Sequence, residues 1–159
     1  MNFAPGIVEL TLIGAAVVAA AVVILFVIFL FVRAIGTPGA PVVGPLNRDA
    51  CLWAMLLHFS LLAGYMVPMA GLIVPIVIWQ VQKSKYPEID LHGRIVVNWM
   101  ISELLYLVFS TLLAIVLIGV PLLIAVLILG IVFPIVGGIK ANNGEIWRYP
   151  LSIPFLDSR

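Results

Sequence analysis

The sequence predicts an all-α, polytopic α-helical integral membrane protein with about five membrane segments, an N-terminal anchor helix followed by a four-helix module. Three observations carry this. Hydrophobic residues make up 64% of the 159 and charged residues only 9%, against about 45–50% and about 25% in soluble domains. A body this small has too little interior to hide so much apolar side chain. Several apolar runs are also long enough to cross a hydrocarbon core of about 30 Å. Finally, the eight Lys and Arg residues are Arg33, Arg48, Lys83, Lys85, Arg94, Lys140, Arg148 and Arg159. With five segments and the N-terminus outside, all of them fall on the cytoplasmic side, as short loops prefer.

The same figures exclude a disordered chain, which needs low hydrophobicity and high charge. A net charge of +1 gives no basic surface for nucleic acid. The single cysteine, Cys51, rules out an internal disulfide and a four-thiolate metal site.

Residues 6–32 form one apolar run about 40 Å long as a helix. Residues 1–10 hold no Lys or Arg, so the run reads as a retained span and not a signal peptide. The anchor is taken as residues 1–33. Small residues around Ala15 and Ala19 suit close packing against a partner helix, in another membrane protein or in a second copy. Residues 34–49 are a linker, since Gly36, Pro38, Gly39, Pro41, Gly44 and Pro45 prevent a helix.

The module is taken as residues 50–140. Residues 50–81 as one helix measure about 48 Å, too long for a single span, and Gly64, Pro68, Gly71 and Pro75 interrupt it. Two helices, 50–66 and 69–82, fit better, the second short enough to be re-entrant. Residues 83–94 read as a polar surface loop in which Asp90, His92 and Arg94 are interfacial and Asp90 with His92 could form a weak divalent-ion site. Residues 95–118 form the next span, Gly119 to Pro121 a turn, and 122–139 the last span, kinked at Pro134. Residues 141–159 form an extended interfacial tail, with Trp147 and Tyr149 in an aromatic belt and Pro150 and Pro154 preventing a helix.

Within the spans, ionisable groups are functional candidates because lipid makes them costly. Asn98, Ser102 and Tyr106 recur at four-residue spacing and form one polar stripe, with Glu103 at its edge. His58 lies at similar depth on a neighbouring helix, and a Glu103–His58 hydrogen bond would reduce the cost of both. His58, Asn98, Ser102, Glu103 and Tyr106 therefore make the candidate intramembrane site. Zinc-protease, nucleophile-elbow and phosphate-loop motifs are absent. The sequence names no catalytic residue, metal or cofactor.

The motifs His58-Phe-Ser60, Ile73-Val-Pro75-Ile-Val-Ile-Trp79, Asp90-Leu-His92-Gly, Val97-Asn98-Trp99, Phe133-Pro-Ile135, Lys140-Ala-Asn142 and Trp147-Arg-Tyr149-Pro occur in one order. Over residues 47–157 they resemble the Tic-twenty-like family of small bacterial membrane proteins, similar to a chloroplast inner-envelope import component. That resemblance implies a four-helix module without an established activity. The expectation is a multi-pass protein of the bacterial inner membrane with a cytoplasmic C-terminus. It acts without enzymatic activity as an accessory or scaffold subunit of a larger complex. The alternative is a channel, transport or protein-translocation component with a polar path near His58, Asn98 and Glu103.

Overall fold

A computed structural model describes residues 6–36, 39–41, 47–116 and 118–158. Among them the chain is all-helical apart from one two-residue strand pair. α1 (Ile7–Gly36) is a single unbroken helix. α2 (Arg48–Phe59) starts at Asn47, whose side chain accepts from the Asp49 and Ala50 N–H groups. This satisfies two of the donors that a helix start leaves without partners.

α2 runs directly into a 3-10 helix, Ser60–Tyr65, and the chain reverses at Met66 and Val67 into α3 (Pro68–Gln82). Pro68 begins α3, where its missing N–H is harmless. Gly64 and Gly71 let the two limbs touch: a Cβ on Gly71 would lie 2.5 Å from the Gly64 Cα. The break expected within residues 50–81 is therefore a tight hairpin. Its first limb is about 30 Å long and α3 about 22 Å.

α4 (Glu88–Leu113) and α5 (Gly119–Asn142) are longer, about 39 and 36 Å. Three helical stretches are long and apolar enough to cross a membrane: Ile7–Leu30, Glu88–Leu113 and Gly119–Asn142, with Pro68–Gln82 a shorter apolar helix.

Several boundaries differ from expectation. The linker is shorter than residues 34–49 at both ends, because α1 continues through Gly36 and α2 begins at Arg48 on the Asn47 cap. The polar loop ends at Pro87, because α4 begins at Glu88, with Glu88 and Asp90 in its first turn where carboxylates favour the helix dipole. Asp90, His92 and Arg94 are therefore helical. The last turn also falls earlier than Gly119, through the 3-10 segment Ala114–Val116, because Pro121 is tolerated in the first turn of α5.

Beyond the end of α5 and its cap residue Asn143, Gly144 has a positive φ of 75°, which suits a residue without a Cβ. Its N–H reaches the Ala141 carbonyl, as a left-handed helix cap does. β1 (Ala40–Pro41) then pairs antiparallel with β2 (Glu145–Ile146). The Gly39 N–H donates to Glu145 Oε2 at 2.9 Å, and Lys140 Nζ lies 3.2 Å from the same oxygen. Together they hold the Glu145 carboxyl below the usual carboxylate range. Of the expected linker, residues 37–38 and 42–46 lie outside the described residues.

The core sits between α2, α4 and α5, around Leu57, Ile95, Val96, Trp99 and Phe133, all nearly inaccessible. α1 buries Val27 and Leu30 and leaves most of its surface exposed, a face that only lipid or another protein can cover.

Candidate functional site

After β2 the chain does not leave the bundle. Trp147 and Tyr149, expected in an interfacial belt, are buried at 4% and 3% exposure. They join an aromatic cluster with Trp99 and Phe133, ring centroids 4.9 Å apart for Trp99 and Phe133 and 5.4 Å for Trp147 and Tyr149. The correction has a physical reason: once β2 pins residue 146 to β1, the next rings meet the gap between α4 and α5.

The stripe on α4 holds the rest of the tail. Tyr106 OH donates to the Leu151 carbonyl at 2.6 Å. The Ile153 N–H donates to Ser102 Oγ at 2.8 Å, and Ser102 Oγ donates to the Asn98 carbonyl. Asn98 makes two bonds to Leu156: Nδ2 donates to its carbonyl at 2.8 Å and Oδ1 accepts from its N–H at 2.7 Å. Arg94 reaches the Asp157 carbonyl, and Arg148 donates twice to the Ser158 carbonyl.

Measured along α4 from Arg94, Asn98 lies about 6 Å deeper and Tyr106 about 18 Å deeper. The tail therefore descends from the end of α5, turns near Leu151 and climbs back to Asp157 along α4. Leu151 has a positive φ of 65°, an uncommon conformation for a residue with a Cβ, and it sits at the turn. Non-helical backbone at membrane depth needs internal hydrogen-bond partners, and the stripe supplies them.

The candidate polar residues thus separate into distinct groups. His58 does not meet Glu103. Its Nδ1 lies 2.6 Å from Tyr149 OH and its Nε2 3.1 Å from His92 Nδ1, with the two imidazoles edge to face. His92, expected on a surface loop, is 2% exposed, because the first turns of α4 pack against α2. His58 thus has a partner at both ring nitrogens and His92 has one at Nδ1, each nitrogen donating or accepting according to the tautomer.

Asp90 and His92 do not converge. Asp90 accepts from Trp79 Nε1 and pairs with Arg94 at 2.8 Å, while His92 faces His58. Among the described residues no group of three or more His, Cys, Asp or Glu is placed to hold a metal ion. Glu103 stands apart, against Gly130, Tyr65 and Trp99. Ala15 is exposed and Ala19 half-buried.

His92 and Tyr149 were not legible as partners of His58. Pro87 followed by acidic residues was a helix-start signal that would have placed His92 on α4.

The fold places this arrangement within the residues that the comparison with protein families matches. The magnetosome magnetite crystal formation protein family (MamF/MmsF) matches residues 49–156. The chain belongs to that family. The Tic-twenty-like resemblance is corrected accordingly: the motifs that suggested it lie inside the MamF/MmsF match. No curated protein and no solved structure matches the chain. Membership makes it a membrane protein of magnetosome formation, and α1 lies outside the matched residues.

Proposed function

We propose that the chain is a non-enzymatic scaffold or accessory subunit of the magnetosome membrane, one that contributes to magnetite crystal formation through contacts with other membrane proteins. The observation that carries this reading is the docking of the tail on α4. The polar stripe that a transport path would use is occupied by backbone groups of the chain's own residues 151–156. Ser102, the stripe's hydroxyl, donates to one backbone group and accepts from another, and neither partner is a general base. What remains open to neighbours is the apolar surface of α1 and of the hairpin, the kind of face on which lateral assembly builds.

In this reading the chain crosses the membrane five times. The hairpin limbs count as two segments, the N-terminus is outside and the C-terminus faces the cytoplasm. The threading is supported by where the helix ends bring the Lys and Arg residues: Arg33, Arg48, Lys83, Lys85, Arg94 and Lys140 all mark one end of the bundle.

The test is purification of the full chain from native magnetosome membranes in mild detergent, with the associated proteins identified. The reading expects stable co-purification of membrane partners, reduced by bulky substitution at Ala15 and Ala19. A protein that is recovered alone, and whose reconstitution makes vesicles permeable to ions, would contradict it.

A further inference from the structure

The hairpin is shorter than the helices beside it. Tyr65, the last residue before the reversal, donates its O–H to the Leu127 carbonyl at 2.7 Å. Leu127 lies eight residues inside α5 from Gly119, about 12 Å. The turn at Met66 and Val67 therefore lies below the end of α5. The turn closes on the Ala63 carbonyl, which accepts from the Met66 and Val67 N–H groups, and water is the solvent that suits the carbonyls left beyond it.

A cavity of about 290 Å³ occupies the recess, lined among others by Tyr65, Pro68, Leu72, Leu107, Leu127 and Glu103. Glu103 lies ten residues before the end of α4, about 15 Å in. It shares the space above Gly130 with Tyr65 OH, since a Cβ on Gly130 would collide with both oxygens. None of the residues lining the cavity is Lys, Arg or His.

Counting hydrogens favours one form of this carboxyl. A tyrosine has one hydroxyl hydrogen, and that of Tyr65 goes to Leu127. Toward Glu103 the phenol oxygen can then only accept. An ionised carboxylate would set its own lone pairs against that oxygen, with no cation to compensate. A protonated carboxyl instead donates to it, and can accept from the buried Trp99 indole, whose N–H has no full hydrogen bond elsewhere.

We propose that Glu103 is a proton-binding carboxylic acid at the floor of this recess, neutral at neutral pH and exchanging its proton with water on the face that bears the Met66–Val67 turn. From α3 the neighbours are Pro68, Gly71 and Leu72, and from α5 Leu127 and Gly130. Tyr65 on the 3-10 helix and Tyr149 on the tail are the other titratable groups near it. The site differs from the stripe, because no residue of the tail lines the cavity.

The test is infrared titration of the full chain in phosphatidylcholine vesicles. At neutral pH a protonated-carboxyl band is expected that is missing in Glu103→Gln, converts to carboxylate in alkali, and shifts promptly on transfer to heavy water. Carboxylate at neutral pH, with Tyr65 donating to it, would overturn the proposal, as would a band that fails to exchange with heavy water. Should Glu103→Gln fold poorly, dicyclohexylcarbodiimide tests the unmodified protein. The carboxyl oxygen adds to the carbodiimide carbon and the acid proton passes to its nitrogen. The O-acylisourea so formed rearranges to a stable N-acylurea. Mass spectrometry is expected to find the adduct on the peptide carrying Glu103 at neutral pH, and an unmodified peptide would contradict the assignment.

Discussion

Replacing Asn98 with leucine removes both hydrogen bonds that tie Leu156 to α4. The side chain is 2% exposed, and its bonds of 2.8 and 2.7 Å go to the backbone carbonyl and N–H of one residue. Side-chain hydrogen bonds in membrane proteins average about 0.6 kcal/mol, because the unfolded chain in lipid also finds partners. On that scale alone the pair is worth about 1 kcal/mol. The substitution also strands two polar backbone groups, at about 1–3 kcal/mol each when they are buried. Leu156 is half-buried, so water recovers part of that penalty, and a total loss of about 2–3 kcal/mol is expected. For a chain of this size that corresponds to about 4–12 °C in Tm. The assay is thermal unfolding in detergent beside Tyr106→Phe, which loses one bond and is expected to cost about 0.6–1 kcal/mol. An Asn98→Leu protein as stable as the unaltered chain would refute the reasoning, since leucine suits lipid better than an unoccupied amide does.

Three further outcomes are expected from the packing. Phe133→Ala empties a fully buried position in the aromatic cluster. It is expected to cost on the order of 3 kcal/mol, read as a lower Tm together with a change in tryptophan fluorescence. Gly137→Ala places a Cβ 2.6 Å from Tyr149 Cε1 and 2.9 Å from His58 Nδ1, so overpacking of about 1–3 kcal/mol is expected, measured by the same unfolding; an unchanged Tm would mean that Tyr149 is not seated against His58. The Glu145 carboxyl is held below its usual range first by the Gly39 N–H and then by Lys140. Its contribution to the β1–β2 pairing is therefore present above the ordinary carboxylate value and lost as pH falls through the lowered one. Hydrogen exchange at Gly39 is expected to be slow at neutral pH and to lose protection in acid, and equal protection at both would contradict the assignment.

Much of the fold was written in local signals. Length together with Gly64 and Pro68 forced a reversal within residues 50–81, and it lies at Met66–Val67. The polar residues Asn98, Ser102 and Tyr106 were visible as one stripe because four-residue spacing keeps them on one helix face. What they bind was not legible, because their partners are backbone groups of residues 151–156, and backbone groups leave no mark on a sequence. The pairing of His58 with Glu103 failed for a related reason. Similar depth along two helices says nothing about which faces meet, and Tyr149, arriving from the tail, and His92 take the two ring nitrogens of His58. His92 was hidden by its polar neighbours, which make the first turns of α4 resemble a loop.

The central claim is that the tail re-enters the bundle and closes the stripe. It is tested most directly by a spin label on Leu151→Cys, in a Cys51→Ser background, in lipid vesicles. Leu151 is at the turn of the tail and 45% exposed, so a label there can be carried without displacing the core. Collision with oxygen and with a water-soluble relaxation agent gives its depth. The account predicts a label that oxygen reaches and the water-soluble agent does not, with depth lost when Asn98→Leu is added. A label at Leu151 that is fully accessible from water in the otherwise unaltered chain would contradict it.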